Sequence, residues 1–305
     1  MKKILIFEYI TGGGLIENKL NYSLLNEANI ILDSLIKESK NTVHFFCDYR
    51  HKYKNNNNAI LVYPNNKDII FDSNFISKYD YFLPICPEID LILFNYVKKI
   101  RQKKITNIHL SDNKSLLIAS DKLMLKDTCN QYMILNPDSY SSNSKNNKFI
   151  TKDRYGCGCN NISIISNPLR KNSSNMIHEN YIPGKSYSAN LYIKDSGYKL
   201  ISINQQHISR KNTSLKLDSI DVNIYPSFNN MIYKFIDDIL NVIPGLRGFI
   251  GFDFIFNNDK IFLIEINPRF TTSMALIEKC KNNHILNYIN SNINEQVGRI
   301  CNIKI

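Results

Sequence analysis

"GFDFIFNNDKIFLIEINPRF", residues 251–270, sets two apolar stretches around a polar turn and threads Asp253, Glu265 and Asn267 through them. The alternation reads as a β-hairpin. Phe252, Phe254 and Phe256 share one face and Asp253 and Ile255 the other, while Phe262, Ile264 and Ile266 oppose Ile261, Leu263, Glu265 and Asn267. Asn257-Asn258-Asp259 supplies the turn. With an odd loop, Asp253 faces Glu265 with side-chain stems roughly 4.5–5.5 Å apart. Two like charges that close call for a positive partner, and a hard divalent cation that takes oxygen ligands suits them. The competing reading is a half-exposed hairpin whose acids are merely hydrated.

The 305 residues, 43% of them apolar, suffice for a substantial core divided into two or three domains. Nothing approaches 18 consecutive apolar residues, and Ile4-Leu5-Ile6-Phe7 is too short for a signal-peptide core, so a cytoplasmic protein without a membrane segment is expected. Seven scattered cysteines without metal-site spacing read as free thiols. The net charge of +11 invites a nucleic-acid hypothesis, but the lysines are spread along the whole chain. The densest patch, Lys98–Lys104, reads as a solvated helix end. An anionic substrate or nucleotide would also welcome the excess.

Residues 3–9 read as a buried strand, followed by the turn Thr11-Gly12-Gly13-Gly14 and a helix carrying Leu24, Ala28, Ile31 and Leu35. Short strands at 43–47, 59–63 and 80–85 and a helix near 89–102 extend an α/β pattern that implies a mostly parallel sheet. The glycines lack dinucleotide spacing, and no P-loop motif occurs. A helix at 121–133, a polar loop over Asp138–Asn147 and a strand Lys148–Lys152 follow. Polar stretches Ser166–Asn175 and Ser209–Asn223 read as separators between strands of an α+β remainder.

Four pieces line up in order. Ser120-Asp121-Lys122 opens a helix; Phe149–Lys152 runs into Arg154-Tyr155-Gly156-Cys157-Gly158; His178–Gly184 is an apolar linker with an acid; Glu265-Ile266-Asn267-Pro268-Arg269 ends the hairpin. Together they resemble the ATP-grasp superfamily. The resemblance implies an N-terminal α/β domain (1–115), a lid subdomain (116–190) and a C-terminal α+β subdomain (191–305). It implies ATP as the nucleotide, with Lys122 and Lys152 on its phosphates, Gly156 and Gly158 closing over them, and Glu179, Tyr181 and Ile182 around adenine. Asp253, Glu265 and Asn267 would hold Mg2+ or Mn2+.

Three positions depart from the family pattern. Asp153 replaces a common proline, Cys159 a common glycine, and Ser186 stands where many members place an acid for the ribose.

The resemblance implies an ATP-dependent carboxylate–amine ligase working through an acyl phosphate. Arg269 would stabilise that intermediate, or else sit in a salt bridge inside the C-terminal domain. Glu8 would hold the amine or cap the loop around Gly12, and Gly13 and Ser273 join it as substrate candidates. The start Phe7–Gly14, Pro87-Glu88 and Ile203–Gln206 are similar to tyramine–glutamate ligases of methanofuran biosynthesis, which implies glutamate and a phenolic amine as substrates. Other amino acids or peptides, or a non-catalytic nucleotide- or RNA-binding role, are the alternatives. Expected partners are a small carboxylate and an amine, with no membrane and no nucleic acid, and a homodimer stays open.

Overall fold

The computed structural model describes residues 2–19, 22–37, 41–141, 148–156, 161–166, 175–280, 284–289 and 300–304. The N-terminal part is an α/β layer. Strands β1 (Lys3–Glu8), β2 (Thr42–Asp48), β3 (Ala59–Val62) and β4 (Tyr81–Ile85) form an all-parallel sheet in the order β3-β2-β1-β4. The Ile, Leu and Phe side chains of β1, β2 and β4 are buried on both faces, as a parallel sheet demands, while the edge strand β3 is half-buried. Helix α1 (Tyr22–Leu35) packs Ala28, Ile31, Leu32 and Leu35 inward. Strand order reverses between β1 and β4, the place where open α/β sheets receive ligands.

The short helix α2 (Ser73–Ile76) precedes β4, and α3 (Ile92–Gln102) follows it. α3 starts later than its apolar pattern suggests because Asp90 and Leu91 take left-handed φ values of 48° and 58°. Lys98 and Lys103 at its end are exposed, as expected of a solvated terminus. Helix α4 (Asn113–Ser120), absent from the sequence reading, leads into α5 (Lys122–Gln131). Each is capped by an aspartate: Asp112 accepts from Ser115 N, and Asp121 accepts from Leu123 N and Met124 N.

The remainder is one nine-stranded sheet. It contains β5 (Phe149–Asp153), β6 (Ser163–Ile165), β7 (Met176–Asn180), β8 (Lys185–Lys194), β9 (Gly197–Lys211), β10 (Ser214–Val222), helix α6 (Asn229–Val242) beside it, then β11 (Gly248–Asn257) and β12 (Lys260–Asn267). The order is β12-β11-β8-β9-β10-β6-β5-β7, with β13 (Cys301–Lys304) against β10; the short helix α7 (Thr272–Ala275) follows β12. Ser209–Asn223 is therefore not a separator: it is the tip and return strand of a long β9–β10 hairpin. Ser214, Lys216 and Asp218 face water while Leu215 and Leu217 turn toward a cavity, so the strand alternates within a largely polar stretch. Most of Ser166–Asn175 and the latter half of Asp138–Asn147 lie outside the described residues.

The opening hairpin forms with one correction. Its turn is the two-residue Asn258-Asp259, at φ 47° and 55°, so the loop alone would set Asp253 opposite Ile264. A bulge between Asp253 and Phe254 leaves Ile264 as the extra residue and restores the Asp253↔Glu265 pairing. It also switches parity, so Leu263 and Ile266 both enter the core, whereas Ile264 and Glu265 both face a cavity. No helix among the described residues is long and apolar enough to cross a membrane.

Candidate active site

Strands from both ends of the large sheet enclose a cavity of about 370 Å³. Ile150, Ile164, Ile182, Leu217 and Ile264 give one part of it an apolar lining; Lys152, Glu179, Asp253 and Glu265 give another part its charge. A flat apolar ring and a polyanionic tail would match these two parts.

Asp253 and Glu265 meet as cross-strand partners at the charged end. Gln206 Nε2 donates to Asp253 Oδ1 at 3.1 Å and Asn267 Nδ2 to Oδ2 at 3.1 Å. Burial, and then the charge of Glu265, push the Asp253 carboxyl well above the usual carboxylate range. Burial opposes ionisation of Glu265 too, but Lys122, with Nζ 3.5 Å from Oε2, outweighs it and holds that carboxyl low. Two adjacent carboxylates, of which only one is easily ionised, suit a cation placed between them. Turning the Asn267 amide over presents its oxygen as a third ligand. Among the described residues no group of three or more His, Cys, Asp or Glu could hold a metal ion, so a cation held here would take its further ligands from the Asn267 amide, water or a bound anion.

The lysines are pre-positioned by ion pairs. Lys122 Nζ also donates to the Gly156 carbonyl, and its backbone N to Arg154 O, which docks the turn after β5 onto the start of α5. Arg154 itself grips Asp121 through Nε (2.8 Å) and Nη2 (2.6 Å). Burial resists the Asp121 charge, yet Arg154 and the helix N–H groups hold its carboxyl low. Lys152 Nζ lies 2.7 Å from Glu179 Oε2, and Lys126 Nζ 3.1 Å from Oε1. Burial alone would raise Glu179; the charges of Lys152 and Lys126 reverse that and hold it below its ordinary range. Glu179, on the cavity wall, is thus a buried bridge between Lys152 and Lys126, a more specific role than membership of an adenine linker. Lys126 had no sequence signal beyond its place one helical turn after Lys122.

Tyr181, Ile182 and Ser186 border the same cavity, and Ser186 pairs in register with Gln206. Asn180 N and Tyr181 N are already bonded to Asp138 O and Lys148 O. Asp153 accepts a hydrogen bond from Asn161 Nδ2. Gly158 and Cys159 lie outside the described residues.

Of the remaining candidates, Glu8 and Arg269 meet at a second, smaller cavity of about 40 Å³ at the carboxyl ends of β1 and β4, bordered also by Glu27 and Cys86. Glu8 caps its own loop: Oε2 accepts from Thr11 N and Thr11 Oγ1, both at 2.7 Å, and Oε1 from Ile10 N at 3.3 Å. Burial still pushes its carboxyl upward. Arg269 is in a buried salt bridge, but the pair crosses to the N-terminal layer, with Nε 3.0 Å and Nη2 3.0 Å from the Glu88 carboxylate. It is not contained within the C-terminal domain. Gly13, at φ 95°, lies against Val62, where a Cβ would sit 2.7 Å from Val62 Cγ1. Ser273 bonds Asn190 in a buried polar cluster with Ser202 and Thr271. Neither Gly13 nor Ser273 lines either cavity.

The sequence model of the ATP-grasp domain matches residues 119–273, half of the chain and the whole stretch that builds the larger cavity. The chain belongs to the ATP-grasp family. It is 29% identical over 275 residues to the tyramine–L-glutamate ligase of Methanocaldococcus fervens, covering 89% of this chain and 88% of that one. It is 27% identical over 290 residues to the enzyme of the same name from Methanocaldococcus jannaschii, covering 89% and 83%. The crystal structure of an ATP-grasp superfamily protein from Archaeoglobus fulgidus matches it with a TM-score of 0.77 at 18% identity, over 100% of both chains, and so shares its fold. This ATP-grasp protein is a carbon–nitrogen ligase that uses ATP with Mg2+ or Mn2+. Its larger cavity fits both: apolar walls, two lysines and an oxygen-donor pair.

Proposed function

We propose that the protein joins the γ-carboxyl of L-glutamate to tyramine or a closely related phenolic amine, in the cytoplasm, as a step in assembling a methanofuran-type one-carbon cofactor. Support for the substrates comes from the two relatives, which align along nearly the whole chain, N-terminal layer included. The observation that carries the ligase chemistry is the convergence of Lys152, Asp253 and Glu265 on one cavity, with Lys122 reaching Glu265 from behind its wall.

In this reading the adenine lies against Ile150, Ile164 and Ile182, and the N–H of Ile182 reads its edge. Strands β5–β7 serve as the lid. Lys152, steadied by Glu179, and Lys122, steadied by Glu265, neutralise the phosphate oxygens as charge shifts during transfer. Asp253, Glu265 and Asn267 would hold the cation, which when bound would supply charge to offset the phosphates. The glutamate γ-carboxylate attacks the γ-phosphorus, the bond to the β-phosphate oxygen breaks, and ADP leaves. The amine then attacks the acyl phosphate, and phosphate leaves with the formation of the amide. Little acid–base chemistry is asked of the protein; positioning and charge neutralisation do most of the work. Arg269, two residues beyond Asn267, supplies positive charge at the acyl end.

Incubating the purified protein with MgATP, L-glutamate and tyramine should release ADP and phosphate and give a product of the condensed mass. ADP release with other acid–amine pairs, but never with this one, would refute the substrates and leave the ligase class standing.

A further inference from the structure

We propose that Glu88 is a positioning residue for the ligase reaction, fixing the direction of Arg269 from the opposite layer of the molecule. The inference rests on the reading above that Arg269 faces the reacting carboxyl group.

Arg269 enters a region with a surplus of carboxylates. Glu8 and Glu27 border the small cavity with it, and Glu88 lies behind. A guanidinium on a flexible stem could pair with any of the three. Glu88 takes it: Nε lies 3.0 and 3.1 Å from the two oxygens, and Nη2 3.0 Å from Oε2. The grip occupies the Nε–Nη2 edge, while Nη1 donates to Phe270 O at 3.2 Å. Two-point pairing of this kind sets the plane of the guanidinium as well as its position.

Both partners are deeply buried, with Glu88 3% and Arg269 7% exposed, so neither can exchange its partner for water cheaply. The anchors behind them are firm. Arg269 N donates to Asn267 O at 2.9 Å, tying the arginine to the metal-binding end of β12. Glu88 is followed by Asp90 and Leu91, two non-glycine residues in the left-handed region, so the surrounding packing holds this loop in a conformation it would not choose alone. Glu88 does not line the small cavity, whereas Arg269 does, so Glu88 acts through Arg269. Without it, Arg269 loses its two-point anchor, and the Glu8 and Glu27 carboxylates that border the small cavity compete for the guanidinium.

The test is a double-mutant cycle with Glu88→Gln, Arg269→Met and their combination, reading kcat, KM for ATP and melting temperature. Glu88→Gln should lower kcat about 100-fold, the scale of a misplacement by about 1 Å, with KM for ATP within about two-fold of wild type. In the Arg269→Met background it should lower kcat by no more than about two-fold further. Glu88→Asp, which keeps the charge on a shorter stem, should restore part of the lost kcat. Should Glu88→Gln fail to fold, Glu88→Asp decides alone: an intermediate kcat with unchanged KM for ATP supports the role. Losses that multiply in the double variant, a wild-type kcat in Glu88→Gln or Glu88→Asp, or a matching rise in KM for ATP would overturn it. The wild-type control separates the two readings. If it rejects glutamate and tyramine, the substrate assignment fails, and the cycle is read on ADP release with the pair it accepts.

Discussion

Replacing Glu179 by Gln removes one negative charge from between two buried ammonium groups and changes almost nothing in shape. In the native chain, Glu179 lies 2.7 Å from Lys152 and 3.1 Å from Lys126, and all three side chains are nearly inaccessible to water. Breaking a buried ion pair by removing one partner costs about 3–5 kcal/mol. Lys126 keeps the Pro137 carbonyl and Asn136 Oδ1 as acceptors, so the loss falls mainly on Lys152, and the lower end of that range, about 3 kcal/mol, is expected. At roughly 1.5 °C per kcal/mol for a chain of 305 residues, the variant should melt about 5 °C below wild type at pH 7 without nucleotide.

The pH dependence gives a second check. Glu179 has a folded pKa below its ordinary value of 4.5, because Lys152 and Lys126 overcome the burial that would raise it. Its contribution is therefore complete above pH 4.5 and is lost as pH falls through the folded value. Thermal melts from pH 7 to pH 3 should show the gap between wild type and Glu179→Gln narrowing toward acid. A gap below about 1 °C at pH 7, or one that widens as pH falls, would refute the claim that Glu179 is an ionised bridge.

Asp253→Asn should separate stability from activity. Burial and the Glu265 charge already push the Asp253 carboxyl well above the usual range, so an amide of the same shape should melt no lower than wild type in EDTA. The same variant should lose the stabilisation that MgATP gives wild type, and an equal MgATP shift in both proteins would remove Asp253 from the cation site. Lys122→Met should abolish ADP release and, by stripping Glu265 of its nearest cation, weaken binding of MgATP in calorimetry; unchanged binding would show that Lys122 is not on the phosphates. Burial pushes the Cys47 and Cys129 thiols up to about 12, so at pH 8 a thiol reagent should leave both unmodified until the chain unfolds, with Cys301 the first of the described cysteines to react. Rapid labelling of Cys129 in the native protein, read by peptide mass, would contradict the packing around α5.

What could be read from the sequence, and what could not, follows the range of each interaction. Asp253, Glu265 and Asn267 stood out because a two-residue period exposes any polar residue that breaks it. The parallel N-terminal sheet was legible for the same reason, through short apolar runs separated by helical spacing. The bulge at Ile264 was not: an isoleucine suits either face of a strand, and only the pairing register shows that it is the extra residue. Ser209–Asn223 was misread because a wet hairpin has the composition of a loop. Lys126, one lysine among many, carries no local mark of burial. The pairing of Arg269 with Glu88 spans 181 residues and two sheets. Each residue alone is unremarkable, and their meaning arises only when the carboxyl end of β4 meets the end of β12. The ATP end of the site is thus assembled mostly from local patterns that the sequence displays. On the proposed reading, the end that chooses the acid and the amine is assembled from contacts between layers, so changes in the N-terminal layer should alter substrate choice without disturbing the nucleotide cavity.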